Sequence, residues 1–226
     1  MLINQNKYLE IVKQLKEKEV TLVAVSKTKP VEAIKELYDL GHRDFGENYV
    51  QELVDKQQQL PQDIRWHFIG HLQSNKVKYI APFVHLIHGI DSFKLLKEVN
   101  KQAKKIDRVI DVLLQVHIAE EETKFGLDKN ELHELLITNS RELHELKNIT
   151  IKGLMGMASF TDDVEKVRNE FKYLKSLFDH YAQLQTPNSK LQTLSMGMSG
   201  DYAIAIEEGS NMVRIGSLIF GERQYN

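Results

Sequence analysis

Eight times along this chain, a short run of apolar and β-branched residues is followed by a stretch with helical spacing. That alternation constrains the fold more than any other feature. Repeated strand–helix–strand units build a parallel sheet with helices on its faces. Strands are predicted at Thr21–Lys27, His42–Asn48, Arg65–Gly70, Leu86–Asp91, Val109–Ile118, Ile151–Ala158, Thr193–Ser199 and Met212–Ser217. They lack strict polar alternation, as expected where both faces of a sheet are covered. The intervening helices are predicted from Pro30 to Gly41, then at Tyr49–Gln59, Lys76–Ala81, Ser92–Lys105, Asp128–Ser140, Asp162–Leu184 and Asp201–Glu208. Pro30 suits a first turn and Ser92 an N-cap. An additional N-terminal helix is predicted where Tyr8, Ile11, Val12 and Leu15 recur at helical spacing. The expected fold is a single α/β domain over residues 1–226, a (β/α)8 TIM barrel. The competing fold is an open doubly wound sheet, but no Gly-x-Gly-x-x-Gly fingerprint follows the first strand.

Composition removes several classes of function. The chain has no cysteine, which excludes disulfides, thiolate catalysis and zinc–sulfur sites. Its net charge of −2 supplies no global field for nucleic acid or an anionic membrane. No apolar run approaches the ~20 residues that span a bilayer. Met1–Glu19 is polar and charged, unlike a secretory signal, so a cytoplasmic location is expected. His67 and His71 have the spacing of a helical metal pair, but on a strand those positions are roughly 13 Å apart, so no metal site is expected. Gln73, Asn75 and Lys76 follow in a polar loop that could line a site. Met155, Met157, Met196 and Met198 read as barrel packing, and Glu120–Glu122 as a solvated loop between His117 and Lys124.

Barrel sites form at the C-terminal ends of the strands. Lys27 stands at the first such end and shares a face with Val23 and Val25. Pointing inward, its amine would be desolvated, which lowers a lysine pKa and suits Schiff-base chemistry. Pointing outward, it would be an ordinary snorkelling lysine. Ser195-Met-Gly-Met-Ser199 and Arg214-Ile-Gly-Ser217 place glycines and hydroxyls after strands seven and eight, where this fold often binds phosphate. Arg214 shares a face with Met212 and Gly216 and needs a buried partner. Two partners fit: a barrel carboxylate such as Glu47 or Asp91, or the pyridine nitrogen of pyridoxal 5′-phosphate (PLP).

Six stretches, in order and spanning nearly the whole chain, resemble the pyridoxal phosphate homeostasis proteins. They are Ala24-Val-Ser-Lys-Thr-Lys-Pro30, Phe45-Gly-Glu-Asn-Tyr49, Trp66-His-Phe-Ile-Gly-His-Leu-Gln-Ser-Asn-Lys76, Gly153-Leu-Met-Gly-Met157, Leu194-Ser-Met-Gly-Met-Ser199 and Val213-Arg-Ile-Gly-Ser-Leu-Ile-Phe-Gly221. That family is similar to the N-terminal barrel of bacterial alanine racemase. The resemblance implies that Lys27 carries PLP. It implies phosphate contacts from Ser195, Met196, Gly197, Gly216 and Ser217, with Arg214 at the ring nitrogen and Asn48 beside the ring. Family members often have threonine where Ser217 stands, and serine keeps the hydroxyl. Lys124 matches a further family lysine.

The expected function is PLP homeostasis: PLP held as a Schiff base on Lys27, without strong catalysis. The alternative is a PLP-dependent amino-acid racemase. A racemase needs two bases on opposite faces of the substrate carbon. In the racemases that the resemblance points to, a tyrosine from a C-terminal domain supplies the second, and this chain ends at Asn226. Tyr49 and Tyr202 are the internal candidates for that role. A phosphate-binding barrel that does not use PLP is a third reading. Expected partners are PLP and apo-PLP enzymes, with no nucleic acid or membrane, and the chain is expected to be a monomer or weak dimer.

Overall fold

Eight parallel strands pair in sequence order, and the last returns to the first, closing a barrel. The computed structural model describes residues 2–121, 125–183 and 189–222. The strands are β1 (Thr21–Val25), β2 (Asp44–Glu47), β3 (Arg65–Phe68), β4 (Leu86–Ile90), β5 (Ile110–Gln115), β6 (Ile149–Met155), β7 (Ser189–Ser195) and β8 (Met212–Ile215). Helix α1 (Gln5–Glu17) precedes β1, with Asn4 capping its first turn. The principal helices between strands are α2 (Val31–Asp39), α3 (Val50–Gln59), α4 (Val77–Ile80) and α5 (Phe93–Lys105). The (β/α)8 architecture expected from the alternation is the one observed. No helix of the described residues is long and apolar enough to cross a membrane.

Strand parity sorts the side chains into two cores. Val23, Leu86, Leu113, Met155 and Met212 pack together inside the barrel. Leu22, Ala24, Phe45 and Phe68 belong to the larger core between sheet and helices. Gly46 faces inward, where a Cβ would lie 2.9 Å from Val23 Cγ1. Its missing side chain is what lets Val23 fill the interior.

Several predicted strands are too long. β1 stops at Val25 and β3 at Phe68, because the residues beyond leave the ladder to form the loops at the barrel mouth. Thr28 has a φ of 64°, in the left-handed region, so the chain cannot continue as a strand past Lys27. β7 errs the other way and begins at Ser189, since its alternating buried and exposed residues hide it from an apolar-run criterion. The helix predicted at Asp128–Ser140 divides into α6 (Lys129–His133), a π-helical turn (Glu134–Thr138) and α7 (Ser140–His144). Helix α8 (Val164–Ala182) then precedes β7, and α9 (Tyr202–Glu207) and α10 (Ser217–Phe220) flank β8.

The β7–β8 seam is closed mainly by side chains. Ladder pairing there is Ser195 with Met212. Buried Ser210 places its Oγ 3.1, 2.8 and 3.0 Å from the carbonyls of Leu194, Met196 and Met212 and accepts from the Met196 N–H. Asn211 Oδ1 accepts from Leu194 N at 2.8 Å. Ser210→Ala should therefore destabilise the fold by about 2 kcal/mol, because it orphans buried backbone groups. Urea unfolding checks this, and a change under about 0.5 kcal/mol would mean the seam does not depend on the hydroxyl.

Candidate functional site

A cavity of about 430 Å³ opens among the C-terminal ends of the strands, lined by Lys27, Asn48, Arg214, Gly216 and Ser217 among others. Five of the eight predicted site residues thus converge from β1, β2 and β8, which are far apart in sequence. Val25, Ile69, Met157 and Met198 form apolar walls. All four methionines had been expected to be packing. Met155 and Met196 are fully buried, whereas Met157 and Met198 face the cavity.

The backbone on either side of Lys27 is clamped. Ser26 Oγ donates to Glu47 Oε1 at 2.6 Å. Lys56 Nζ donates to Ser26 O, Glu47 Oε1 and Glu52 Oε1 at 2.8, 2.8 and 2.7 Å. Glu52 Oε1 also accepts from Thr28 N. A single ammonium, projecting from α3, thereby ties both neighbours of Lys27 in place. Burial pushes the Glu47 carboxyl up to about 7, against the pull of Lys56 and Ser26. The outward face of β2 carries Glu47, so it is not the partner of Arg214. Asp91 is not either, since it binds His71 Nδ1 at 3.1 Å.

Arg214 points inward from β8 and is held by backbone and hydroxyl oxygens. Its NH1 donates to Ser195 O at 2.9 Å and to Ser195 Oγ at 2.7 Å, and its NH2 donates to Gly156 O at 3.0 Å. Burial lowers its pKa to about 10, which still leaves it cationic at neutral pH.

The β7 and β8 loops meet at the cavity. Arg214 N donates to Gly197 O at 3.0 Å, and Gly216 N to Ser199 Oγ at 3.2 Å. Gly197 has a φ of 96°, and a Cβ there would lie 2.6 Å from Ala205 Cβ, so only glycine lets this loop turn. Ser195, Met196 and Gly197, named for phosphate contacts by resemblance, sit beneath the cavity rather than along it. The side chains of Ser195 and Met196 are fully buried, and the Met196 N–H is used by Ser210. Ser199 and Gly200, two and three residues after Gly197, line the wall instead.

Asn48 follows β2, with its Oδ1 buried and without a hydrogen-bond partner among the described residues. Gln73 and Asn75 line a neighbouring hollow of about 450 Å³ with His71 and Asp91, not the Lys27 cavity. Phe125 stacks on His71 there, with ring centroids 4.0 Å apart. Lys124 and Glu122 lie outside the described residues. A larger cavity of about 950 Å³ opens at the N-terminal end of the barrel, away from Lys27. The functional candidate is the smaller one, because the convergent polar groups are there.

The geometry matches what comparison shows. Residues 4–224 match the family model described as "Alanine racemase, N-terminal domain". The chain is 41% identical over 213 residues to the pyridoxal phosphate homeostasis protein of Pasteurella multocida (strain Pm70), covering 93% of this chain and 89% of the relative. The protein of that name from Aquifex aeolicus (strain VF5) is 45% identical over 206 residues, covering 90% and 87%. The chain belongs to the pyridoxal phosphate homeostasis protein family. Among solved structures, PipY of Synechococcus elongatus PCC7942 superposes with a TM-score of 0.88 without PLP and 0.85 with PLP bound, at 34% identity and covering 96% of this chain and 99% of that one. Alanine racemase of Clostridium difficile 630 shares the fold, with a TM-score of 0.74 at 16% identity, and this chain covers 59% of it.

Residue patterns missed the clamp around Lys27. Glu52 and Lys56 stand at the i, i+4 spacing of a helical ion pair, a signal that was present. That the pair reaches across to Ser26 and Thr28 is a tertiary fact. Gly200 and Ile69 carry no such signal, since each is one of many small or apolar residues in the chain, whereas Ser199 closes the glycine–serine motif after the seventh strand.

Proposed function

We propose that this family member binds PLP in the Lys27 cavity, held covalently as a Schiff base on Lys27, and serves PLP homeostasis without strong catalysis. One observation carries the reading. Lys27, Asn48, Arg214, Gly216 and Ser217 surround a single cavity, in a chain 34% identical to PipY, whose structure has been solved with PLP bound. The residues fit the group. Asn48 offers a buried, unpartnered amide oxygen, and its amide can meet a ring substituent. Ser199, Gly200, Gly216 and Ser217 offer hydroxyls and close backbone approach to a phosphate. Val25, Ile69 and Met157 offer apolar surface for an aromatic ring.

When bound, PLP supplies an aldehyde for exchange with amines and a ring that withdraws electrons. The chain's own residues moderate that second property. Arg214 is a donor only, so a ring nitrogen facing it stays unprotonated, which weakens electron withdrawal. Phe160 at the mouth is 98% exposed, and Met198 beside it is also exposed. A mouth so open to water suits holding and release better than carbanion chemistry. Tyr202, a candidate second base, donates instead to Gln14 Oε1 of α1 at 3.3 Å, and Tyr49 is exposed on the first turn into α3.

The test is uptake of PLP by the purified chain, borohydride reduction, and mass mapping. The added mass is expected on the peptide containing Lys27. No uptake, or a label confined to other lysines, would overturn the reading. The racemase alternative rests on the match to the alanine racemase domain. Exchange of amino-acid α-protons in D2O faster than about 1 s⁻¹, the lower edge of ordinary turnover, would favour it over the non-catalytic reading.

A further inference from the structure

Below the Lys27 cavity, the barrel interior is not simply apolar. Five inward-facing residues, from β2, β3, β4, β7 and β8, form a continuous file. Arg214 NH1 lies 2.7 Å from Ser195 Oγ, and Ser195 Oγ lies 3.3 Å from His88 Nδ1. His88 Nε2 lies 3.0 Å from His67 Nδ1, and His67 Nε2 lies 3.0 Å from Asp44 Oδ1. The file crosses the barrel from one end to the other. Arg214 lines the cavity at the C-terminal end, and Asp44 and His67 line the cavity at the N-terminal end.

With one proton on each imidazole ring, the chemistry of the two ends gives every proton a place. A guanidinium only donates, and a carboxylate only accepts. Burial opposes ionisation of Asp44, but hydrogen bonds from Arg65 and His67 hold its carboxyl well below the usual range. A singly protonated His67 ring that donates to Asp44 from Nε2 accepts at Nδ1. His88 must then donate from Nε2 and accept at Nδ1, and burial keeps this ring neutral. Ser195 donates its hydroxyl proton to His88 and accepts from Arg214. All four bonds run the same way, from Arg214 to Asp44.

We propose that this file is a polarised relay that fixes the orientation of Arg214 towards the cofactor ring, making Ser195, His88, His67 and Asp44 positioning residues for a group they do not touch. The inference rests on the PLP reading above. A guanidinium has five N–H donors. Ser195 O, Ser195 Oγ and Gly156 O take three. Two N–H donors are left over among the described contacts, on a side chain that lines the cavity. Bonds aligned in one direction polarise one another, so the carboxylate at Asp44 makes Ser195 Oγ a stronger acceptor for Arg214.

Two measurements test it. The first is ¹⁵N NMR of histidine rings in the chain without added PLP. The relay predicts that Nδ1 carries no proton on either His67 or His88. A proton on His88 Nδ1 would overturn the relay whatever the chain binds. The second is a double-mutant cycle on PLP dissociation and on the absorption maximum of the bound PLP. Asp44→Asn removes the charge at the far end, and its amide can donate to His67 and reverse the file. Ser195→Ala cuts the link to Arg214. Each is expected to weaken PLP retention about tenfold and to shift the absorption maximum. In the Ser195→Ala background, Asp44→Asn should add nothing, since the path is already broken. Fully additive effects, or an unchanged absorption maximum in Asp44→Asn, would refute the relay. If the wild-type chain takes up no PLP, the PLP reading fails and the relay loses its task, while the proton assignment is still decided by the NMR.

Discussion

Gly153→Ala should be among the most destabilising single substitutions in this chain, costing more than about 4 kcal/mol. A Cβ at Gly153 would lie 1.7 Å from the Thr193 carbonyl oxygen, 2.6 Å from its carbonyl carbon and 3.0 Å from its Cα. Every one of those atoms is backbone, so no rotamer change relieves the clash. The site is also the point where the register shifts between β6 and β7, and β5 shifts against β6 beside it. Relief would require separating β6 from β7 in a closed barrel, where a strand cannot move without opening the ring. The expected loss exceeds about 4 kcal/mol, against a net stability of about 5–15 kcal/mol for a typical domain. Gly200→Ala is the control. Nothing lies within 4 Å of a Cβ there, and its stability should match the wild type within about 0.5 kcal/mol. Urea unfolding and soluble yield of the two variants decide the matter. A Gly153→Ala chain that unfolds near the wild-type midpoint would show that the two strands can part at little cost.

Glu47 should make the protein less stable as pH rises from about 4.5 towards 7. Its carboxyl is pushed from the ordinary 4.5 up to about 7, chiefly by burial. A folded-state pKa above the unfolded one means that the folded state holds the proton more tightly. The stabilising contribution is therefore complete below about 4.5 and is lost as pH climbs through the folded value. At about 1.4 kcal/mol per pH unit, the window carries on the order of 3 kcal/mol. His42 has the opposite sign. Burial lowers its pKa to about 4, so its contribution is lost as pH falls from 6.5 to that value. The two overlap, so the wild-type profile alone does not isolate Glu47. The difference between wild type and Glu47→Gln does. Glutamine stays neutral and keeps an acceptor for Ser26 and Lys56. Relative to wild type, the variant should gain about 3 kcal/mol between pH 4.5 and 8, measured by urea unfolding at constant ionic strength. Parallel profiles for the two proteins would contradict the raised pKa. Because Ser26 Oγ donates to Glu47, the same titration bears on the backbone that presents Lys27.

Much of this protein was legible in its residues. Strand parity alone put Lys27 on the face of Val23 and Val25, and Arg214 on the face of Met212. Such parity survives folding because a strand's period of two leaves no freedom once one face is buried. The alternation of strands and helices was enough for the barrel, since right-handed crossovers of this kind have few other ways to close. Strand ends were less legible. Apolar residues continue past Phe68 and Gln115, and only the departure of the backbone into mouth loops decides where pairing stops.

By itself, then, the sequence determined that a lysine, an arginine and two glycine–serine loops would stand at the same end of one barrel. The tertiary structure decided what each of them touches. Arg214 found Ser195 and Gly156 rather than a carboxylate, because Glu47 faces outward to Lys56 and Asp91 is bound by His71. Ser199 and Gly200, not Ser195 and Met196, reached the cavity wall, because β7 ends at Ser195 and its loop rises only after Gly197 turns. Contacts of this kind join residues far apart in the chain, from Ser26 to Lys56 and from His88 to Ser195. A pattern with a period of two or 3.6 residues carries no information about such distances. They are set when the ring closes.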